Sequence, residues 1–278
     1  MSPRPAAFLP SEADGLVAYL TGLYQGAFTE EAIRGHLENH VGFGFADYAL
    51  AVSAPHLENG ARVLDLGCGF GSFVLLARDA GLDAIGIELA SFEIAFARDR
   101  LARLRPDDDP KHVFREGDAC ELGAEIGPFD AVTLWNVLEH IEDATALLED
   151  VDRLLAPGGQ ILIVCPNYAA SRDEAHYHVP WNAKLSKDRD KAADYLRSLG
   201  RDPTYYRTSI FCRTNREVIS ILERLGYQLF ELSGRRPISL GWKTIRPILG
   251  DIGAFRHARS DARHSVEIAA VKPKEESW

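Results

Sequence analysis

Apolar residues along the chain follow two periods, and the switching between them lays out the fold. Short apolar runs at 61–66, 83–88, 112–116, 129–134 and 160–166 have the length and continuity of strands buried on both faces. Between residues 141 and 155 the period changes: Ala144, Leu147, Leu148, Val151, Leu154 and Leu155 lie on one helical face, and the "APGG" at 156–159 ends it. Strands alternating with helices need crossover connections, so the pattern predicts an α/β domain with a parallel sheet covered by helices on both faces.

Outside that block the pattern differs. Residues 167–212 are polar and aromatic without a clear period, which predicts an inserted lid. Thr214 and Glu217 form a capping-box signature ahead of Val218, Ile221, Leu222 and Leu225 on one face, with Gly226 as the stop. Two further strands are predicted at 227–233 and 265–271, separated by an insertion at 234–264. Residues 1–55 read as a helical cap over an edge or mouth of the sheet. The expected organisation is a cap at 1–55, a core at 56–166, a lid at 167–212 and the rest of the core sheet at 213–278.

Composition narrows the partners. A chain of 278 residues with 46% hydrophobic and 26% charged residues suits one soluble domain with embellishments. A net charge of -10 disfavours nucleic acid, whose binding rests on neutralising phosphates. The longest apolar run, "ILIVC", is far too short to span a bilayer, and "MSPRPAAFLP" lacks a signal-peptide core, so no membrane association and a cytoplasmic location are expected. Cys68, Cys120, Cys165 and Cys212 are widely spaced and read as reduced thiols. Between residues 234 and 264, Arg235, Arg236, Lys243, Arg246, Arg256, Arg259 and Arg263 outnumber Asp251 and Asp261, which fits a solvated or subunit-contact loop, with docking of an anionic acceptor as the alternative.

The chemistry begins at "VLDLGCGFGSF", where a strand runs into Gly67, Gly69 and Gly71. Glycines between a strand and a helix let backbone N–H groups approach a ligand, with the positive helix end behind them. The spacing is G-x-G-x-G, not the G-x-G-x-x-G of a dinucleotide turn, and no Walker Gly-Lys-Ser/Thr is present. Asp65 precedes the turn, where it would repel a pyrophosphate and tolerate a cation. Glu88 ends the second strand about 20 residues on, in position to accept ribose hydroxyls. Asp118 follows the third strand, placed for an exocyclic amine. An acid for an ammonium group, one for a ribose and one for an adenine together describe S-adenosylmethionine.

The segments "VLDLGCGFGSF", "GIELA", "EGDA", "FDAVTLWNVLEHIED" and "LLAPGGQILIVCPN" resemble, in order and spacing, the class I S-adenosylmethionine-dependent methyltransferases. That resemblance implies a Rossmann-like seven-stranded sheet, mostly parallel, with the last strand antiparallel. It also implies cofactor contacts from Asp65, Gly67, Cys68, Gly69 and Gly71, from Glu88 and Leu89 at the ribose, from Asp118 and Ala119 at the adenine, and from Asn136 at the methionine part.

The acceptor side is read from histidines, whose ordinary pKa suits proton transfer near neutrality. His140 in "NVLEHIED" lies at the carboxyl edge of the sheet and resembles the Glu-His pair of ubiquinone-biosynthesis O-methyltransferases, in which this segment is linked to a divalent metal. That group has a further carboxylate where this chain has Asn136, so no metal is expected. His176 and His178 flank Tyr177 in "EAHYHVPWN"; in an extended loop they would point to opposite sides, leaving one facing the cleft. Tyr177, Trp181, Tyr205, Tyr206 and Arg207 are the expected acceptor contacts, suited to stack on a sugar or aromatic ring. The expected function is methyl transfer from S-adenosylmethionine to an oxygen of a small molecule or glycan precursor, nitrogen or carbon being alternatives and a homodimer left open. A nicotinamide-dependent oxidoreductase and a non-catalytic cofactor-binding protein are the competing readings.

Overall fold

The computed structural model describes residues 4–24, 26–118, 126–234, 238 and 263–274. Its strands are β1 (Arg62–Leu66), β2 (Asp83–Glu88), β3 (Phe114–Glu116), β4 (Phe129–Trp135), β5 (Leu155–Pro166), β6 (Asp173–Glu174), β7 (Val179–Pro180), β8 (Gln228–Glu231) and β9 (Ser265–Val271). Seven of them form one sheet in the order β3-β2-β1-β4-β5-β9-β8. The pairs among β1 to β5 are parallel, and β9 runs antiparallel to both neighbours, β5 and β8. This is the Rossmann-like sheet expected. Order reverses between β1 and β4, so their carboxyl ends flank the crevice where ligands of open sheets bind.

Alternation along the strands explains the continuous apolar runs. Leu64, Ile85, Val132 and Ile161 enter one buried cluster, while their neighbours Val63, Ala84, Ala131 and Leu162 enter another on the opposite face. Two strand ends differ from expectation. Residues Pro110–Val113 form a helical turn, so β3 starts at Phe114. The helix Ala144–Leu154, capped by Asp143, stops one residue earlier than its apolar face suggests, because Leu155 already pairs with Phe129 and "APGG" belongs to β5.

The N-terminal residues form α1 (Ala13–Leu23), α2 (Glu30–His36), a π turn at Leu37–Val41 and α3 (Gly44–Ser53). They are fastened by Arg100 of α5 (Ser91–Leu104), a residue only 1% exposed. It donates to the carbonyls of Ala7, Val41 and Phe70 and to the Ser72 hydroxyl, and Ser72 in turn donates to the carbonyls of His40 and Val41.

Residues 167–212 are more ordered than their missing period suggests. They hold the β6–β7 hairpin and helices Ala183–Ser186, Arg189–Ser198 and Thr204–Ser209. Short elements capped by Asn182 and Asp188 pack on a shared aromatic core of Tyr168, Tyr177, Trp181 and Tyr206, which an isolated periodicity reading does not detect. The basic stretch falls almost wholly outside the described residues; Arg263 is described and pairs with Glu231 at 2.5 Å. Among the described residues no helix is long and apolar enough to cross a membrane.

Candidate active site

The glycine turn is built by backbone. Gly67 donates to Ile87 O at 2.8 Å, Cys68 to the same oxygen at 3.1 Å, and Gly71 closes the turn onto Cys68 O at 2.9 Å. A Cβ at Gly67 would stand 2.7 Å from Val137, at a φ of +73°, so both space and backbone require glycine there. Gly71, at φ +75°, caps α4 (Ser72–Asp79), the helix whose N-terminus backs the turn. Glu88 reaches across from β2: its Oε2 accepts from Gly69 N at 3.2 Å, and its Oε1 from Leu89 N at 2.7 Å and Ala90 N at 3.1 Å.

Two more carboxyls face the same space. Asp65 is buried and accepts from the Thr133 hydroxyl at 2.7 Å; burial, opposed by that bond, pushes its pKa up to about 7. Glu93 of α5 accepts from the Tyr19 hydroxyl of α1 at 3.0 Å, and its Oε2 points at Gly69. Burial, helped by the neighbouring Glu88, raises Glu93 to about 7 as well. Sequence reading missed Glu93, since nothing in the helical spacing marks a carboxyl that turns back toward the glycines.

A cavity of about 540 Å³ joins this turn to a second group of residues. After β4, Asn136 takes a positive φ of 55° and donates to Val164 O at 2.7 Å, turning the chain into the short helix Leu138–His140. Arg213, ahead of the helix Asn215–Arg224, clamps that turn by donating to the carbonyls of Leu138, Ile141 and Glu142 and pairing with Glu217. Glu139 thereby sits 1% exposed, its Oε2 without a partner among the described residues, and burial raises its pKa to about 7. The Nδ1 of His140 bonds Ser209 O at 2.6 Å, and burial lowers its pKa to about 4.

The lid supplies His176 and His178. Glu174 accepts from the backbone of His176 at 2.8 Å and of Tyr177 at 2.6 Å, and from the Tyr168 hydroxyl at 2.6 Å. Its Oε1 also faces His176 Nδ1 at 3.2 Å. Burial alone would lower His176, but the hydrogen bond and charge of Glu174 outweigh it and raise the imidazole above its ordinary value. The segment is a turn closed by His178 N onto Glu174 O, with His178 at φ 52°, and not the extended loop expected. For that reason both histidines line the cavity.

The N-terminal elements complete the wall. Tyr24 and Phe28 stack at 4.0 Å, Phe28 meets His178 edge-on, and His36 stacks on His40 at 4.5 Å. Burial lowers His36 to about 3 and His40 to about 4, leaving both neutral at pH 7. Their four-residue spacing in "HLENH" puts them on one helical face, a signal the sequence carried and the reading passed over.

Residues 42–232 match the family model described as a methyltransferase domain. The chain is a class I methyltransferase. It is similar to a ubiquinone biosynthesis O-methyltransferase of Xanthomonas oryzae pv. oryzae, 38% identical over 106 residues, a match that spans 37% of this chain and 42% of that relative's length. It is also similar to the Cereibacter sphaeroides protein of the same name, 29% identical over 180 residues, covering 60% of this chain and 70% of the relative. In fold it resembles the Haemonchus contortus phosphoethanolamine N-methyltransferase 2 in complex with S-adenosyl-L-methionine, with a TM-score of 0.53 and 19% identity over 87% of this chain and 60% of that one. Membership selects the methyltransferase reading over the dehydrogenase.

Within the methyltransferase fold, Asp65, Gly67, Cys68, Gly69, Glu88, Asn136, His140, His176 and His178 converge on the cavity. Gly71 lies behind it in the cap of α4, Leu89 stands on the rim at 69% exposure, and Asp118 follows β3, while Ala119 lies outside the described residues. Of the five expected acceptor contacts, Tyr177, Trp181 and Tyr206 are buried in the lid core, where the Tyr177 hydroxyl donates to Asp202 O and the Trp181 indole to Ser186. Arg207 is on the surface, paired with Asp190. Tyr205 alone reaches the histidine group, 6.3 Å from the His140 ring and 5.7 Å from that of His176.

Proposed function

We propose that this methyltransferase moves the methyl group of S-adenosylmethionine onto a hydroxyl oxygen of a small, largely uncharged ring-bearing acceptor in the cytoplasm. The observation that carries this reading is one cavity with acids and backbone donors at one end and imidazoles and aromatic rings at the other. In this reading Gly67, Cys68 and Gly69 meet the methionine end, Glu88 the ribose and Asp118 the adenine, while Asp65 and Glu93 offset the cofactor's positive charge. Tyr24 and Phe28 give faces for a ring, and His36 and His40, neutral at pH 7, give no charge to bind an ionic acceptor. The reduced cysteines, free at Cys68, Cys165 and Cys212 among the described residues, suit the cytoplasm.

Methyl transfer is an in-line displacement at a carbon already activated by the sulfonium, so positioning supplies much of the rate. His178 is the proton acceptor we assign. It lines the cavity yet remains exposed, so it can pass its proton to solvent after each turnover, whereas the enclosed His140 and His176 hold the acceptor oxygen. Incubation with methyl-labelled cofactor and a panel of phenols and sugar precursors tests the reading, with label expected in a hydroxylated ring compound. Glu88→Ala should weaken cofactor binding by roughly 1 to 3 kcal/mol through loss of a buried hydrogen bond. Calorimetry that finds no S-adenosylmethionine binding would overturn the proposal.

A further inference from the structure

Glu174 is a completely buried acid at the base of the lid turn. Its oxygens accept from the Tyr168 hydroxyl and from the backbone N–H groups of His176 and Tyr177, and His176 Nδ1 stands at 3.2 Å. Three neutral donors hold the carboxylate ionised, and a charge enclosed in this way requires a partner of opposite sign. Among the described residues the ion pair that Glu174 makes is with His176, so the positive charge falls on that imidazole.

The surroundings leave the charge to His176 alone. Among the described residues that line the cavity there is no lysine or arginine. Around the His176 ring stand Glu139 and His140 from the turn after β4, Tyr205 from the helix Thr204–Ser209, His178 in its own turn, and His36 and His40 from the N-terminal wall. A carboxylate oxygen of Glu139 lies within 4.8 Å of a His176 nitrogen and favours the charge. Burial keeps the other four imidazoles below their ordinary value, hence neutral at pH 7. With Nδ1 committed to Glu174, the Nε2–H of His176 is the group left for a ligand.

We propose that Glu174 is a positioning residue that keeps His176 an imidazolium, and that His176 thereby holds the reacting oxygen of the acceptor as an oxyanion. The proposal deepens, and rests on, the reading of this end of the cavity as the acceptor site. An acceptor that is neutral in solution gives its hydroxyl proton to His178 and so to solvent, and the charge left on oxygen meets His176. The oxygen attacks the methyl carbon while the carbon–sulfur bond breaks with its electron pair passing to sulfur. An ether and a neutral sulfide result, and His176 keeps its proton throughout. A fixed cationic donor favours the ionised hydroxyl over the neutral one, so the bound acceptor ionises at a pH about 1 to 3 units lower than it does free.

The first measurement follows the isotope-labelled histidines of the full chain by NMR through pH, without cofactor or acceptor, with the His176 ring assigned through its own backbone amide. Both ring nitrogens of His176 should be protonated at pH 7, and Glu174→Gln should lower its titration by about 1 unit or more. A His176 that is neutral at pH 7 in the native chain overturns the proposal. The second adds para-nitrophenol at a pH about one unit below its own pKa. The native protein should bind it with the absorption of the phenolate, and Glu174→Gln should not. Binding as the neutral phenol, or no binding, overturns the oxyanion. In turnover at saturating cofactor, Glu174→Gln should lower kcat roughly 100-fold with the KM for cofactor unchanged, and the deficit should shrink as pH approaches the acceptor's own ionisation. A loss equal at every pH would show that Glu174 only supports the fold. If Glu174→Gln unfolds, the titration and the probe spectrum of the native chain decide alone. A charged His176 that binds phenolate in a chain that transfers no methyl would refute the proposed function and leave this site standing; methyl transfer by a chain whose His176 is neutral would do the reverse.

Discussion

The two ends of the cavity are made differently. The end we assign to the cofactor comes from consecutive strand ends, and its geometry is mostly backbone: three positive-φ glycines, amides directed at Ile87 and Glu88, and a helix N-terminus. The end we assign to the acceptor is assembled from side chains of three distant stretches, the N-terminal helices, the turn after β4 and the lid, and two of its imidazoles, His140 and His176, are aimed by Ser209 and Glu174. A backbone site tolerates most side-chain changes and fails when its turn is blocked; a convergent side-chain site fails when any one support is lost.

Gly67→Val should have the largest effect, since it combines backbone strain of about 1–3 kcal/mol with a collision at Val137 that costs about as much again. Cofactor binding, followed by calorimetry, should vanish with it. Arg213→Met should come next, at about 3 kcal/mol by denaturant unfolding, because buried carbonyls and Glu217 lose their partner. Acceptor turnover should collapse while cofactor affinity stays within about twofold; a parallel loss of cofactor affinity would show that the two ends are one unit. A smaller effect is the pH dependence of cofactor binding. Asp65 and Glu93 titrate near 7 in the free protein, a cationic ligand favours their ionised forms, and binding therefore releases protons. Affinity should rise with pH up to about 7, by at most about tenfold per unit for one proton, and then level off. Calorimetry in buffers of different ionisation enthalpy reads the protons, and an affinity that falls with rising pH would contradict the assignment. Arg207→Ala should change least, under about 1 kcal/mol in stability and nothing in acceptor KM, since its ion pair is exposed.

The same contrast governs what could be read before folding. The strands, their order in the chain and the glycine turn follow from local period and spacing, so they were legible to within a residue or two, except that β5 starts at Leu155 and not at 160; that early start and the late start of β3 are set by pairing with neighbours. His140, His176 and His178 were legible as residue types. Their directions were not, because a buried Glu174 folds the segment into a turn that no alternation of polar and apolar positions encodes. Tyr177, Trp181 and Tyr206 illustrate the converse: aromatic rings in a polar stretch read as a binding surface, yet a lid of that size needs a core of its own and uses them there. Glu93, His36 and His40 reach the cavity only because the N-terminal helices pack over α5 and the glycine turn, a long-range fact.

The buried Arg100 fixes one wall of this chamber. Its guanidinium ties Ala7 and Val41 of the N-terminal segment to Phe70 and Ser72 of the cofactor turn, so swinging that segment away would strand a charge in the interior at a cost of about 3–5 kcal/mol. The N-terminal segment is therefore a fixed wall of the chamber, one that moves with the glycine turn and not apart from it.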